Sequence, residues 1–185
     1  MAVAGLAIVA ALTLPGAVAL AQATAPPVEV AAELPAARLQ GSGTLRYFGF
    51  RVYEARLWSG ERAVGGDWSA APLALELEYR RSLDGAQIAE LSLTEMRRQG
   101  DIGSADAERW LAAMRGWFPD VRPGDRLTAV LRSDRSVRIF FNGTPRGELR
   151  DPVFARLFIG IWLAPSTSQP ALRESLLGTA AGGER

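Results

Sequence analysis

The sequence predicts an α+β domain built around antiparallel strand pairs, and three observations predict it. Two β-prone runs, Thr44–Phe48 and Phe50–Tyr53, meet at Gly49. Leu73, Leu75, Leu77 and Tyr79 alternate with Ala74, Glu76, Glu78 and Arg80, as a sheet with one buried and one wetter face requires. Later segments repeat apolar residues at helical spacing between recognisable start and stop residues. With 185 residues, 48% hydrophobic and 22% charged, the chain is long enough for one domain with its own core.

Met1–Ala21 carries no charged residue and is dominated by Ala, Val, Leu and Ile, with Pro15-Gly16 before the small-residue run Ala19-Leu20-Ala21. It reads as a secretory signal peptide cleaved after Ala21, which implies a periplasmic or secreted protein. Pro15 and Gly16 leave too short an apolar core to favour a membrane anchor. Residues 22–40 have Pro26, Pro27 and Pro35 among alanines and neither clear period, and read as an extended, mobile lead-in.

The block Gly41–Trp58, GSGTLRYFGFRVYEARLW, gathers aromatics, arginines and glycines. If Phe48 and Gly49 are the two central turn residues, Arg46 lies opposite Arg51 and Thr44 opposite Tyr53, which puts all four on one face. Two arginines and a phenol on one face would suit an anionic head group, because a guanidinium offers a planar fork of donors. A bulge at Gly49 would break this register.

Gly60–Pro72 is a loop whose one large apolar anchor is Trp68, and it leads into the alternating strand at Leu73. Asp84-Gly85 turns the chain into a helix over Gln87–Gln99, ended by Gly100. A second helix starts near Ser104, with Asp106 and Glu108 in its first turn and a core stripe of Trp110, Leu111, Met114, Trp117 and Phe118. Pro119 stops it. After the turn Arg122–Asp125 come strands Leu127–Leu131 and Val137–Phe141, and Asn142-Gly143 starts a hairpin into Thr144–Leu149. Asp151 caps a helix with Pro152 in its first turn and apolar residues up to Trp162; Pro165 ends it. A last helix runs from Pro170 to Leu177, and Gly178 opens a small-residue tail over 179–185.

Composition excludes much chemistry. The chain has no histidine, cysteine or lysine, so it offers no imidazole base, thiolate, Schiff-base amine or usual zinc ligand. A metal, flavin or nucleotide cofactor finds no support, and Gly41-Ser42-Gly43 lacks the following helix of a phosphate loop. A net charge of +1, from 21 basic and 20 acidic residues, asks for neither a nucleic acid nor an anionic membrane, and a membrane is implicated only through the signal segment.

The stretches GTLRYFGFRVYEARLW, LELEYRRSLDGAQIAELSLTEMRRQG and FIGIWLAPSTSQPALRESLLG, within Gly41–Gly178, resemble the chalcone isomerase-like family, specifically its bacterial secreted branch. The resemblance implies an antiparallel sheet with helices packed on one face, an open-faced sandwich with a cleft between the layers. Plant enzymes of that fold close chalcones to flavanones using an arginine, a tyrosine, a lysine and an asparagine. Matching the helix after Asp84-Gly85 puts that tyrosine at Ile88, that lysine at Leu91 and that asparagine at Glu95, so none is kept. Apolar Ile88 and Leu91 suit a greasy ligand or plain core. In the fatty-acid-binding branch an arginine and a tyrosine hold the carboxylate, and Arg46 and Tyr53 are the matching pair here. The alternative for them is a half-buried sheet tyrosine and an arginine paired with Glu54 or Glu78.

The leading expectation is therefore a non-catalytic module that binds a fatty acid or similar amphipathic anion through Arg46, Tyr53, Thr44, Arg51, Ile88 and Leu91. A diverged isomerase, or intramolecular lyase, and a structural or partner-binding periplasmic protein with a closed core are the other two.

Overall fold

The computed structural model describes residues 25–179, so the predicted signal segment 1–21 and residues 180–185 of the predicted tail lie outside the described residues. In chain order the elements are α1 (Val28–Glu33), β1 (Arg38–Tyr47), β2 (Phe50–Ser59), β3 (Leu73–Tyr79), α2 (Gly85–Arg97), α3 (Ser104–Trp117), β4 (Arg126–Leu131), β5 (Ser136–Phe141), β6 (Thr144–Arg150), α4 (Pro152–Leu163) and α5 (Pro170–Leu177). The six strands form one antiparallel sheet in the order β1-β2-β3-β4-β5-β6. This is the α+β architecture the sequence predicts.

Local chemistry sets most boundaries. Phe48-Gly49 and Asn142-Gly143 each place two successive residues at positive φ, 47° and 80° in the first and 48° and 82° in the second. Such turns match the strand twist of a two-residue hairpin. The Asp84 carboxylate accepts from the backbone N–H of Gln87 at 2.9 Å, and Asp151 accepts from Val153 and Phe154, so both helices start where an aspartate can satisfy their free donors. Gly178 closes α5 at φ 69°.

Strand alternation divides the sheet into two faces. Leu57, Leu75, Ala129 and Ile139 point to one side and pack with Leu93, Met96, Trp110, Met114, Phe154 and Phe158 of α2, α3 and α4. Trp68 of the long loop joins this core at 7% exposure. Close approach of α5 to β1 depends on Gly41 and Gly43. A Cβ on Gly41 would run into the backbone of Ser175 and Leu176, and one on Gly43 into Leu172.

Two expectations change. The lead-in is not extended, because Val28–Glu33 is a helix on the opposite face of the sheet, where Val30 and Leu34 pack on Trp58, Ala74, Val130 and Phe140. A helix this short has little stability of its own, so its anchors are tertiary. Glu29, 4% exposed, accepts from Arg126 Nη2 at 2.9 Å and Thr128 Oγ1 at 3.0 Å, while Glu33 pairs with Arg132 and Arg138. For the same reason the second face of β3 is drier than its alternation suggests. Ala74 is fully buried, and Glu76, 3% exposed, accepts from Trp58 Nε1 at 2.9 Å and Arg56 at 3.1 Å.

Candidate functional site: an apolar cleft with a phenol and carboxylate wall

Where the inner face of β1–β4 parts from α2 and α4, the core opens into a cleft of about 460 Å³. That is the size of a small-molecule site, and its walls are mostly alkyl and aromatic. Leu45, Leu75, Leu77 and Leu127 form the floor, and Ile88, Phe158 and Ile161 form the roof. Its existence argues against a core closed by the protein's own side chains.

Tyr53, Tyr79 and Glu95 are among the polar residues that line the cleft. Tyr53 and Tyr79 are cross-strand partners whose rings meet edge to face, with centroids 5.8 Å apart. The Trp162 indole donates to the Tyr53 hydroxyl oxygen at 2.9 Å, so the hydroxyl proton of Tyr53 is free to donate into the cleft. No hydrogen-bond partner of the Tyr79 hydroxyl occurs among the described residues. Glu95, one turn beyond Leu91, holds its Oε2 buried with no hydrogen bond; the Arg98 guanidinium lies 3.6 Å away. Burial pushes the Tyr53 phenol up to about 12; the Trp162 hydrogen bond lowers it and the Glu95 charge raises it further. Burial also drives the Tyr79 phenol up, reinforced by Tyr53. Both phenols are therefore neutral donors at ordinary pH, able to hold a carbonyl or carboxylate oxygen, beside a carboxylate that accepts from a hydroxyl. At the rim stands Arg81, the one cation lining the cleft among the described residues.

Of the residues predicted for the site, Tyr53, Ile88 and Leu91 line the cleft, Leu91 at its exposed edge. Thr44, Arg46 and Arg51 do not. The turn is centred on Phe48-Gly49 and Arg46 does face Arg51, as predicted, but Leu45, not Thr44, lies opposite Tyr53. An extra residue on β2, Val52, bulges between these pairs. A bulge of one residue reverses the facing of everything beyond it, which turns Tyr53 inward with Leu45 and leaves Thr44 opposite Glu54 on the outer face. The single face shared by Thr44, Arg46, Arg51 and Tyr53 is thereby corrected. Nor does Arg46 pair with Glu54 or Glu78, which bind Arg56 and Arg80.

Tyr79, Trp162, Glu95 and Arg81 reach the cleft without having been singled out as ligand contacts. Tyr79 and Trp162 lie in apolar stripes indistinguishable from core by period, and only the sheet register brings Tyr79 beside Tyr53. Position 95 does carry a signal, since the resemblance aligns it with a cleft asparagine of the enzymes.

The family described as chalcone isomerase-like matches residues 21–178. An uncharacterized protein of Haemophilus influenzae is 33% identical over 107 residues, covering 58% of this chain and 52% of that protein, so the match spans about half the length of the relative. Among solved structures, a fatty-acid binding protein of Arabidopsis thaliana superposes with a TM-score of 0.63 at 11% identity, over 77% of this chain and 87% of that one, a likeness of fold. The sheet order, the cleft between sheet and helices and the long matched span agree, and the chain belongs to the chalcone isomerase-like family.

Proposed function

We propose that this protein is a non-catalytic member of the family that binds a fatty acid or similar amphipathic anion, with the chain in the cleft and the head at its rim. The observation that carries this reading is the cleft itself: about 460 Å³, apolar walls, and Arg81 at the exposed edge as its one lining cation among the described residues. The buried Glu95 oxygen disfavours an anion at the inner wall, so the head belongs at Arg81 and the tail inside. Replacement of the enzymes' cleft tyrosine and lysine by Ile88 and Leu91 favours an alkyl chain over a phenolate. The fold shared with a fatty-acid binding protein is consistent with this. The apolar segment Met1–Ala21 supports a periplasmic or secreted destination, which recovery of a chain beginning at Gln22 from the cell envelope would check.

Native mass spectrometry of protein purified without detergent, before and after addition of oleate, tests the binding. Wild type should carry an acyl-chain mass, Ile88→Trp should lose it by filling the cleft, and Arg81→Gln should weaken oleate about tenfold by removing one charge-assisted contact. A wild type that stays empty with oleate present would refute the reading.

A further inference from the structure

The two tight hairpin turns have nearly the same backbone and very different residues. Asn142-Gly143 uses the pair that adopts two positive φ angles most easily, whereas the β1–β2 turn puts Phe48 at φ 47° before Gly49. A bulky side chain in that region is strained, and Phe48 gains little within the chain to offset it. It is 84% exposed, and its ring meets that of the neighbouring Tyr47 edge-on, with centroids 4.5 Å apart. Tyr47 at 64% and Phe50 at 66% flank it, and Leu91 at 65% stands on α2 at the cleft edge that Tyr47 also lines. Four of the six large hydrophobic residues exposed among the described residues thus sit on this tip and rim.

The charges around the rings have one sign. Residues 46–51, RYFGFR, include two arginines and no acid, and the Arg81 guanidinium lies over the Phe50 ring, 5.6 Å from its centroid. None of Arg46, Arg51 and Arg81 pairs with an acid among the described residues, the carboxylates of β2 and β3 being held by Arg56 and Arg80. A second copy meeting this tip through its own would bring unpaired arginines together, which opposes self-association.

We infer that the β1–β2 tip is a docking device for an anionic phospholipid surface, with Tyr47, Phe48 and Phe50 entering the interfacial layer and Arg46, Arg51 and Arg81 meeting lipid phosphates. Aromatic rings favour that layer, and arginine forks match phosphate oxygens while their alkyl stems lie along apolar surface. The cleft edge carrying Tyr47, Arg81 and Leu91 would then face the bilayer, where amphipathic molecules are concentrated. Docking goes beyond ligand binding and needs no filled cleft, so the two are separable.

The test is vesicle flotation of the full chain, whose N-terminal segment is the same in every preparation, with equal parts phosphatidylglycerol and phosphatidylcholine against phosphatidylcholine alone. Phe48→Asn with Phe50→Ser removes two rings and leaves an Asn-Gly turn, so the hairpin is retained; Arg46→Gln with Arg51→Gln removes the charge. Wild type should float with the anionic vesicles in a salt-sensitive manner, and the arginine variant should bind roughly tenfold more weakly or worse. The ring variant should bind more weakly too. Amide exchange at residues 46–51 should slow on anionic vesicles in wild type only, and oleate retention should be unchanged in the arginine variant, whose two positions do not line the cleft. Equal flotation of all three proteins without slowed exchange at the tip overturns the inference. So does a tip-dependent self-association or protein complex without vesicle binding.

Discussion

Tyr53 is held by opposing forces whose balance sets how the protein responds to alkali. Burial and the Glu95 charge keep its phenol neutral up to about pH 12, whereas in the unfolded chain it ionises near pH 10. The folded state therefore keeps a proton that the unfolded state gives up between those values. This contribution is fully present below pH 10 and is lost as pH rises towards 12, amounting to about 3 kcal/mol at two pKa units. Tyr79, displaced in the same direction, adds to the loss. Denaturant unfolding should give a flat stability from pH 7 to 9 and a steep fall above 10. Tyr53→Phe should be less stable at pH 7 by about 1–2 kcal/mol, because the Trp162 N–H loses its acceptor, but should show a shallower alkaline fall. An alkaline fall as steep as that of wild type would remove Tyr53 as its cause. The family resemblance singled out Tyr53, which does line the cleft, but its facing was not legible. A bulge at Val52 has no Gly or Pro to announce it, and parity along a strand is lost with one extra residue.

Among the elements, those fixed by their own ends were legible. The turn at Asp84-Gly85, the Asp151 cap, Asn142-Gly143 and the Gly178 terminus are local signals, and the structure places elements at each, the helix after Asp84 starting two residues before the expected Gln87. Helix α1 could not be read that way, because six residues carry hardly more than one turn of period and what holds them is about a hundred residues away in the chain. Gly41 and Gly43 were similarly opaque: as residues they suggest a loop, and only the packing of α5 shows that they clear a path for a helix. The dependence of α1 on distant partners gives a test. Glu29→Ala should leave Arg126 and Thr128 without their buried acceptor and destabilise by about 3 kcal/mol, while Glu29→Gln, which keeps an oxygen for Thr128, should cost less. Limited proteolysis should cut Glu29→Ala within residues 28–37 sooner than wild type. If unfolding and proteolysis are both unchanged, α1 is held by Val30 and Leu34 alone.

At the scale of the whole molecule, the sheet and helices enclose a core that opens along the cleft. Side chains facing an apolar void lack partner atoms on that side, so Leu75, Leu77, Phe158 and Ile161 forgo dispersion contacts that a ligand chain would restore. Ligand and fold are then linked: a molecule that binds only the folded state at a hundredfold excess over its Kd stabilises by about 2.7 kcal/mol. For a domain of this size that raises Tm by roughly 5–10 °C. Calorimetry of protein stripped of lipid should show this rise with oleate below its micellar concentration. Oleyl alcohol, which shares the chain and lacks the charge, should produce a smaller rise, and Arg81→Gln should bring the oleate response down to the alcohol level while leaving the alcohol response intact. Loss of both responses in Ile88→Trp would assign them to the cleft. Equal responses to oleate in wild type and Arg81→Gln would take the head group away from Arg81 and direct attention to the Tyr53 and Tyr79 hydroxyls, which also line the cleft. No response to either compound would mean that the cleft does not accept an alkyl chain, and the binding function proposed above would fall with it.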